Sequence, residues 1–138
     1  MPEIELVTPA TAAHIAVLHD HLVCAGQALP DEACGVFLLK VSGPGGAMTA
    51  GCKGEIAFRS AHVSELWVDQ SQRGQGVGRD LLRAAEAFAR DRGCLRVHLE
   101  TRSDQARGLY ESLGYRVFGQ LPDYDGDQSF YYLEKRID

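Results

Sequence analysis

No stretch of this 138-residue chain approaches the ~20 consecutive apolar residues that cross a bilayer, so no membrane-spanning helix and no membrane partner are expected. Basic charge is also scarce. Fourteen Lys and Arg stand against nineteen Asp and Glu, for a net charge of −5. That balance argues against a nucleic-acid partner, which calls for a basic face. Cysteine is sparse and scattered: Cys24, Cys34, Cys52 and Cys94 form no C-x-x-C pair. The opening Met-Pro-Glu lacks the basic-then-apolar run of an export signal. Free thiols in a reducing, cytoplasmic setting are therefore expected. Repeats, low-complexity tracts and interdomain linkers are missing as well. With 45% hydrophobic residues, the expectation is one domain over residues 1–138 with one core.

What is present alternates between strand and helix patterns. Residues 3–7 alternate in polarity like a half-buried strand. Thr8-Pro9 reads as a helix start, followed by Ile15, Leu18 and Leu22 on one helical face, with an interruption at Gly26 and again at Leu29-Pro30-Asp31. Strands are expected over 34–41, 47–58 and 62–69, with the first two joined by the turn Ser42-Gly43-Pro44-Gly45-Gly46. The strongest helix runs from about Gly76 to Arg92. Leu81, Leu82, Ala85, Phe88 and Ala89 form its apolar stripe, Arg79, Arg83, Glu86 and Arg90 its water-facing side, and Gly93 its stop. A strand over 95–101, a helix over about 104–113 and strands over 115–119 and 129–135 complete an α/β domain with a mixed sheet.

The segment between the third of these strands and the best helix carries chemistry. Arg73-Gly74-Gln75-Gly76-Val77-Gly78 has glycines at alternate positions, which leaves the backbone N–H groups free to close on an anion. The start of the following helix favours negative charge too, and Arg73 and Arg79 flank it. A tight connection with no ligand is the plainer reading. Three glycines, two arginines and a strand-to-helix context favour an anion site. The ATP-cradling pattern G-x-x-x-x-G-K-[ST] fails for want of its lysine. The dinucleotide pattern G-x-G-x-x-G fails because its last position falls on Arg79 or Leu81.

In these residues the chain resembles the GCN5-related N-acetyltransferases. Their pyrophosphate loop R/Q-x-x-G-x-G/A follows a strand ending like L-x-V, here Leu66-Trp67-Val68 and then Arg73 to Gly78. A second motif, N-x-x-A-x-x-x-Y-E-x-L-G-F/Y, is similar to Ser103-Asp104-Gln105-Ala106-Arg107-Gly108-Leu109-Tyr110-Glu111-Ser112-Leu113-Gly114-Tyr115, with Ser103 in place of the asparagine that reaches the pantetheine arm. The motif-level match spans residues 64–136. It implies a mostly antiparallel central sheet of about seven strands flanked by helices, with a splayed strand pair at the acyl-CoA site. It also implies acetyl-CoA as co-substrate, no metal, and a small-molecule or peptide amine as acceptor. Dimers are frequent in the family, so a homodimer is a further expectation.

The resemblance implies direct attack of the amine on the thioester. Tyr110 is then the acid for the leaving thiolate, since a phenol of ordinary pKa ~10 keeps its proton at pH 7; otherwise it is a packing aromatic. A backbone N–H within Leu66 to Val68 is the implied donor to the thioester oxygen. Glu65 is the first candidate base, with a water relay as the other route and Glu100 and His98 on the next strand nearby. Period-two alternation sets Glu65 and Trp67 opposite Leu66 and Val68. A non-catalytic acyl-CoA sensor or scaffold is the alternative function. Two other clusters are discounted. His19 and His21 point about 200° apart on a helix and cannot chelate together, and Asp123, Asp125 and Asp127 lack the pattern of an EF-hand loop.

Overall fold

A computed structural model describes residues 1–29 and 35–138. The chain divides into two compact units, Met1–Cys34 and Gly35–Asp138. In the first unit one helix, α1, spans Ala12–Cys24. It starts three residues later than the Thr8-Pro9 signal suggests, because Thr11 is its cap: the Thr11 Oγ1 accepts from the His14 N–H at 3.2 Å. Ile15, Leu18 and Leu22 share one of its stripes, and Gly26 with φ 73° follows its end. Residues 3–7 are not a strand. Their alternating polarity finds no ladder partner, and alternation without pairing does not hold an extended chain. Among the described residues the sheet accordingly has six strands, not about seven. Pro30, Asp31 and Cys34 lie outside the described residues.

The second unit runs β1 (Gly35–Ser42), β2 (Met48–Ala57), β3 (Ser60–Val68), α2 (Val77–Asp91), β4 (Arg96–Thr101), α3 (Asp104–Ser112), β5 (Arg116–Asp125) and β6 (Gln128–Arg136). The strand order is β1-β2-β3-β4-β6-β5. These pairs are antiparallel except β3 with β4, which are parallel and joined at Ser60–His62 against Arg96–His98. Beyond His62 the two strands part. This is the splayed pair that the family resemblance implies.

The helix α2 packs across the inner face of β1 to β4. Its Leu81, Leu82, Ala85 and Ala89 bury against Ala50, Cys52, Ala61, Val63, Val97, Leu99 and Leu133. Leu82 and Leu133 are fully enclosed, each worth roughly 1.5–3 kcal/mol of transfer free energy. Gly93, at φ 81°, ends the helix as the sequence indicates. Glu86 departs from its expected water-facing position and is buried. Two partners compensate that burial: Lys135 Nζ at 2.8 Å and the Tyr115 hydroxyl at 3.0 Å, which donates to the carboxylate.

Register in β3 changes phase at one residue. Lys53 pairs with Glu65 but Gly54 with Val63, so Ser64 is an extra residue in the ladder. Before this bulge Ala61 and Val63 face the core; after it Leu66 and Val68 do. Glu65 and Trp67 therefore come to the outer side, as the alternation requires.

Candidate active site

Where β3 and β4 part, the opening is a cavity of about 450 Å³ lined by Val63, Ser64, Glu65, Leu66, Trp67, Leu99, Glu100, Thr101, Ala106 and Tyr110. Both parallel strands deliver their carboxyl ends to it. The continuation of β3 is the glycine-rich loop, and the continuation of β4 is α3, so loop and helix flank the opening.

A second cavity of about 340 Å³ lies on the loop, lined by Val68, Gln72, Arg73, Gly74, Gly76, Val77, Gly78, Arg79, Gln105 and Leu109. Gly74 and Gly76 both take left-handed φ, 76° and 80°, the backbone conformation from which an anion-binding nest is built. Gly76 is the N-cap of α2 and supplies no side-chain cap. The first-turn N–H groups of α2 are thus left for an external acceptor. Arg73 braces the loop by donating from Nε to the Val68 carbonyl at 3.0 Å, and the Gln75 amide donates to the Ser71 carbonyl at 3.4 Å. Asp69 caps the short turn Gln70–Gln72, and hydrogen bonds from the Ser71 side chain and backbone hold its pKa low. Arg79 reaches back over the loop: a Cβ on Gly76 would lie 2.6 Å from its guanidinium.

The helix α3 contributes to both cavities through its period. Gln105 and Leu109 form one stripe toward the loop, while Ala106 and Tyr110 form the neighbouring stripe toward the splay. Gln105, Leu109, Ala106 and Thr101 are lining residues that sequence reasoning does not single out, although the four-residue spacings of Gln105 to Leu109 and of Ala106 to Tyr110 on an expected helix carry the signal. Ser103 lines neither cavity. Its Oγ accepts from the Ala106 N–H at 3.1 Å, the N-cap of α3. The sequence-predicted residues thus divide: Glu65, Leu66, Trp67 and Tyr110 stand at the splay, and Val68, Arg73, Gly74, Gly76, Val77, Gly78 and Arg79 at the second cavity, while Gln75 lines neither and bonds back to Ser71, and Ser103 caps a helix.

Burial, and then the nearby Cys52 and Glu100, raise the pKa of Tyr110, so its phenol stays protonated well past neutrality. Burial also pushes the Cys52 thiol up to about 11 and raises that of Cys94. Neither offers a thiolate nucleophile at pH 7.

Residues 12–115 match the model of the GNAT acetyltransferase family. The chain belongs to this family. It is 36% identical over 103 residues to the blasticidin-S acetyltransferase of Streptomyces morookaense, covering 74% of this chain and 76% of that protein. An acetyltransferase crystal structure from Bacillus cereus superposes with a TM-score of 0.81 at 29% identity, covering 96% of this chain and 97% of that one. Crystals of a Bacillus anthracis protein named for streptothricin acetylation hold acetyl coenzyme A. That protein is like this chain in fold, with a TM-score of 0.66 at 19% identity over 75% of this chain and 63% of that one. This GNAT chain is an acyltransferase, and acetyl-CoA is the acyl donor of its family.

Proposed function

We propose that this acetyltransferase moves the acetyl group of acetyl-CoA to a primary amine on a small cationic molecule or peptide. The pyrophosphate rests on the nest of residues 73–79 and the thioester enters the opening between β3 and β4. The observation that carries this reading is the sharing of one cavity by Tyr110, Glu65 and Glu100, adjoining the loop cavity through α3. In the step itself the neutral amine nitrogen bonds to the carbonyl carbon and the carbon–sulfur bond breaks. The Tyr110 hydroxyl gives its proton to the departing sulfur, and Glu65 takes the proton that the amine loses. Past His62 the backbone of β3 has no strand on its β4 side, which leaves main-chain donors there for the thioester oxygen.

Two carboxylates at the opening and a net charge of −5 favour a cationic acceptor. A relative named for blasticidin S supports a small molecule over a protein tail. A cytoplasmic setting and a homodimer belong to the same reading. Free Cys24, Cys52 and Cys94 support the reducing compartment.

The test is release of free thiol from acetyl-CoA in the presence of amines, among them blasticidin S, polyamines and lysine-containing peptides. Amine-dependent release is expected. Tight acetyl-CoA binding with no release across the panel would instead support a non-catalytic sensor.

A further inference from the structure

Three metal-ligating side chains, Glu100 of the opening among them, converge on the outer face of the sheet. His62 on β3 stands directly across the parallel register from His98 on β4, and Glu100 follows two positions along the same strand. Period two puts His98 and Glu100 on one face, and the short parallel pairing brings His62 to it. His62 Nε2 lies 2.7 and 3.0 Å from the two Glu100 oxygens. The His62 and His98 rings stack with centroids 4.8 Å apart and planes 12° apart. One ligand atom from each of the three lies within 4.8 Å of the other two. Together with Tyr124, Phe130 and Tyr132 they line a cavity of about 460 Å³.

We propose that His62, His98 and Glu100 form a binding site for a divalent transition metal of the zinc class. Two imidazole nitrogens and one carboxylate oxygen are the donor set that suits zinc, with a fourth, open position for water, rather than the all-oxygen shell of calcium or magnesium. Bonds of about 2.0–2.1 Å in tetrahedral geometry set ligand atoms roughly 3.4 Å apart, a closure that side-chain torsions can supply from the present spacing. The other ring nitrogen of His62 has its own carboxylate: Glu55 Oε1 is 3.4 Å from Nδ1. A carboxylate in that position fixes the tautomer and orientation of a metal-bound imidazole. Glu100 also lines the opening that holds Tyr110, so an ion here would draw one carboxylate away from the acceptor side.

The test uses the full chain, stripped with chelator and titrated with zinc chloride by calorimetry, and with cobalt(II) by visible absorption. One ion per chain is expected, with the intense visible bands of four-coordinate cobalt. His62→Ala and His98→Ala should each weaken zinc binding at least roughly tenfold. Cys24→Ser and His21→Ala, which each remove one donor at the C-terminal end of α1, should leave it unchanged. Acetyl-CoA affinity of the same preparations reports separately on the transferase reading and on folding of the variants. Absence of zinc binding by the folded chain would overturn the proposal, leaving His62 and Glu100 as a hydrogen-bonded pair only. So would binding that survives both histidine substitutions, or that disappears with Cys24→Ser.

Discussion

Tyr110 sits at the meeting of α3, β3 and β4, half-buried and 6.1 Å ring to ring from Tyr115. If it delivers the proton to the leaving sulfur, Tyr110→Phe lowers kcat by roughly 10²- to 10⁴-fold while acetyl-CoA affinity holds. Steady-state kinetics beside a binding titration check this, and a fully active variant would remove the acid role. Tyr115 acts structurally. Its hydroxyl serves the buried Glu86, and burial and the Glu86 charge push its pKa far up. Both phenols hold their protons more tightly folded than unfolded. Their contribution to stability is intact below the ordinary phenol value of ~10 and is lost as pH rises above it. Phenolate absorbance should therefore show Tyr110 and Tyr115 ionising above the ordinary phenol range, and Tyr115→Phe should remove one of these late transitions. The placement of Tyr110 and Glu65 at one opening was legible because a motif and an alternation named them. The burial of Glu86 was not: on helical period alone it joins Arg79, Arg83 and Arg90, and only residues distant in sequence, Tyr115 and Lys135 of β6, give it partners.

Among the elements, β2 has the tightest constraint. A Cβ on Gly54 would lie 2.4 Å from the Phe37 ring and 2.8 Å from the His62 carbonyl oxygen, a backbone atom that cannot step aside cheaply. Gly54→Ala should cost about 1–3 kcal/mol in urea denaturation, and a variant of unchanged midpoint would contradict the packing of β1 on β3 through this position. The helix α2 was legible almost to its ends, since a period of 3.6 and a terminal Gly93 are local signals. The bulge at Ser64 was not, because an extra residue in a ladder is defined only against the partner strand. For the same reason residues 3–7 looked like a strand and are not one. Their alternation is local, whereas a strand needs pairing supplied from elsewhere.

Over the chain as a whole, the proposed function rests on one topological fact. Among the described residues the sheet has one parallel pair, β3 with β4; it is three residues long at each strand, and its carboxyl ends feed the glycine-rich loop and α3. Strand order of this kind is not written in any single segment, so the splay came from family resemblance, while the loop came from its own glycines. The central claim is that the nest at Gly74 and Gly76 holds the phosphates of acetyl-CoA. Calorimetric titration of acetyl-CoA into Gly76→Asp tests it most directly, since the substitution sets a side chain and a negative charge against the bound phosphates. The control is Gly126→Asp, the same change at another left-handed glycine, in the β5–β6 turn with nothing within 4 Å of the added Cβ. Expected is a loss of at least roughly tenfold in affinity, about 1.4 kcal/mol, for Gly76→Asp and none for Gly126→Asp, with both variants folded. Wild-type affinity in folded Gly76→Asp would contradict the assignment of the loop.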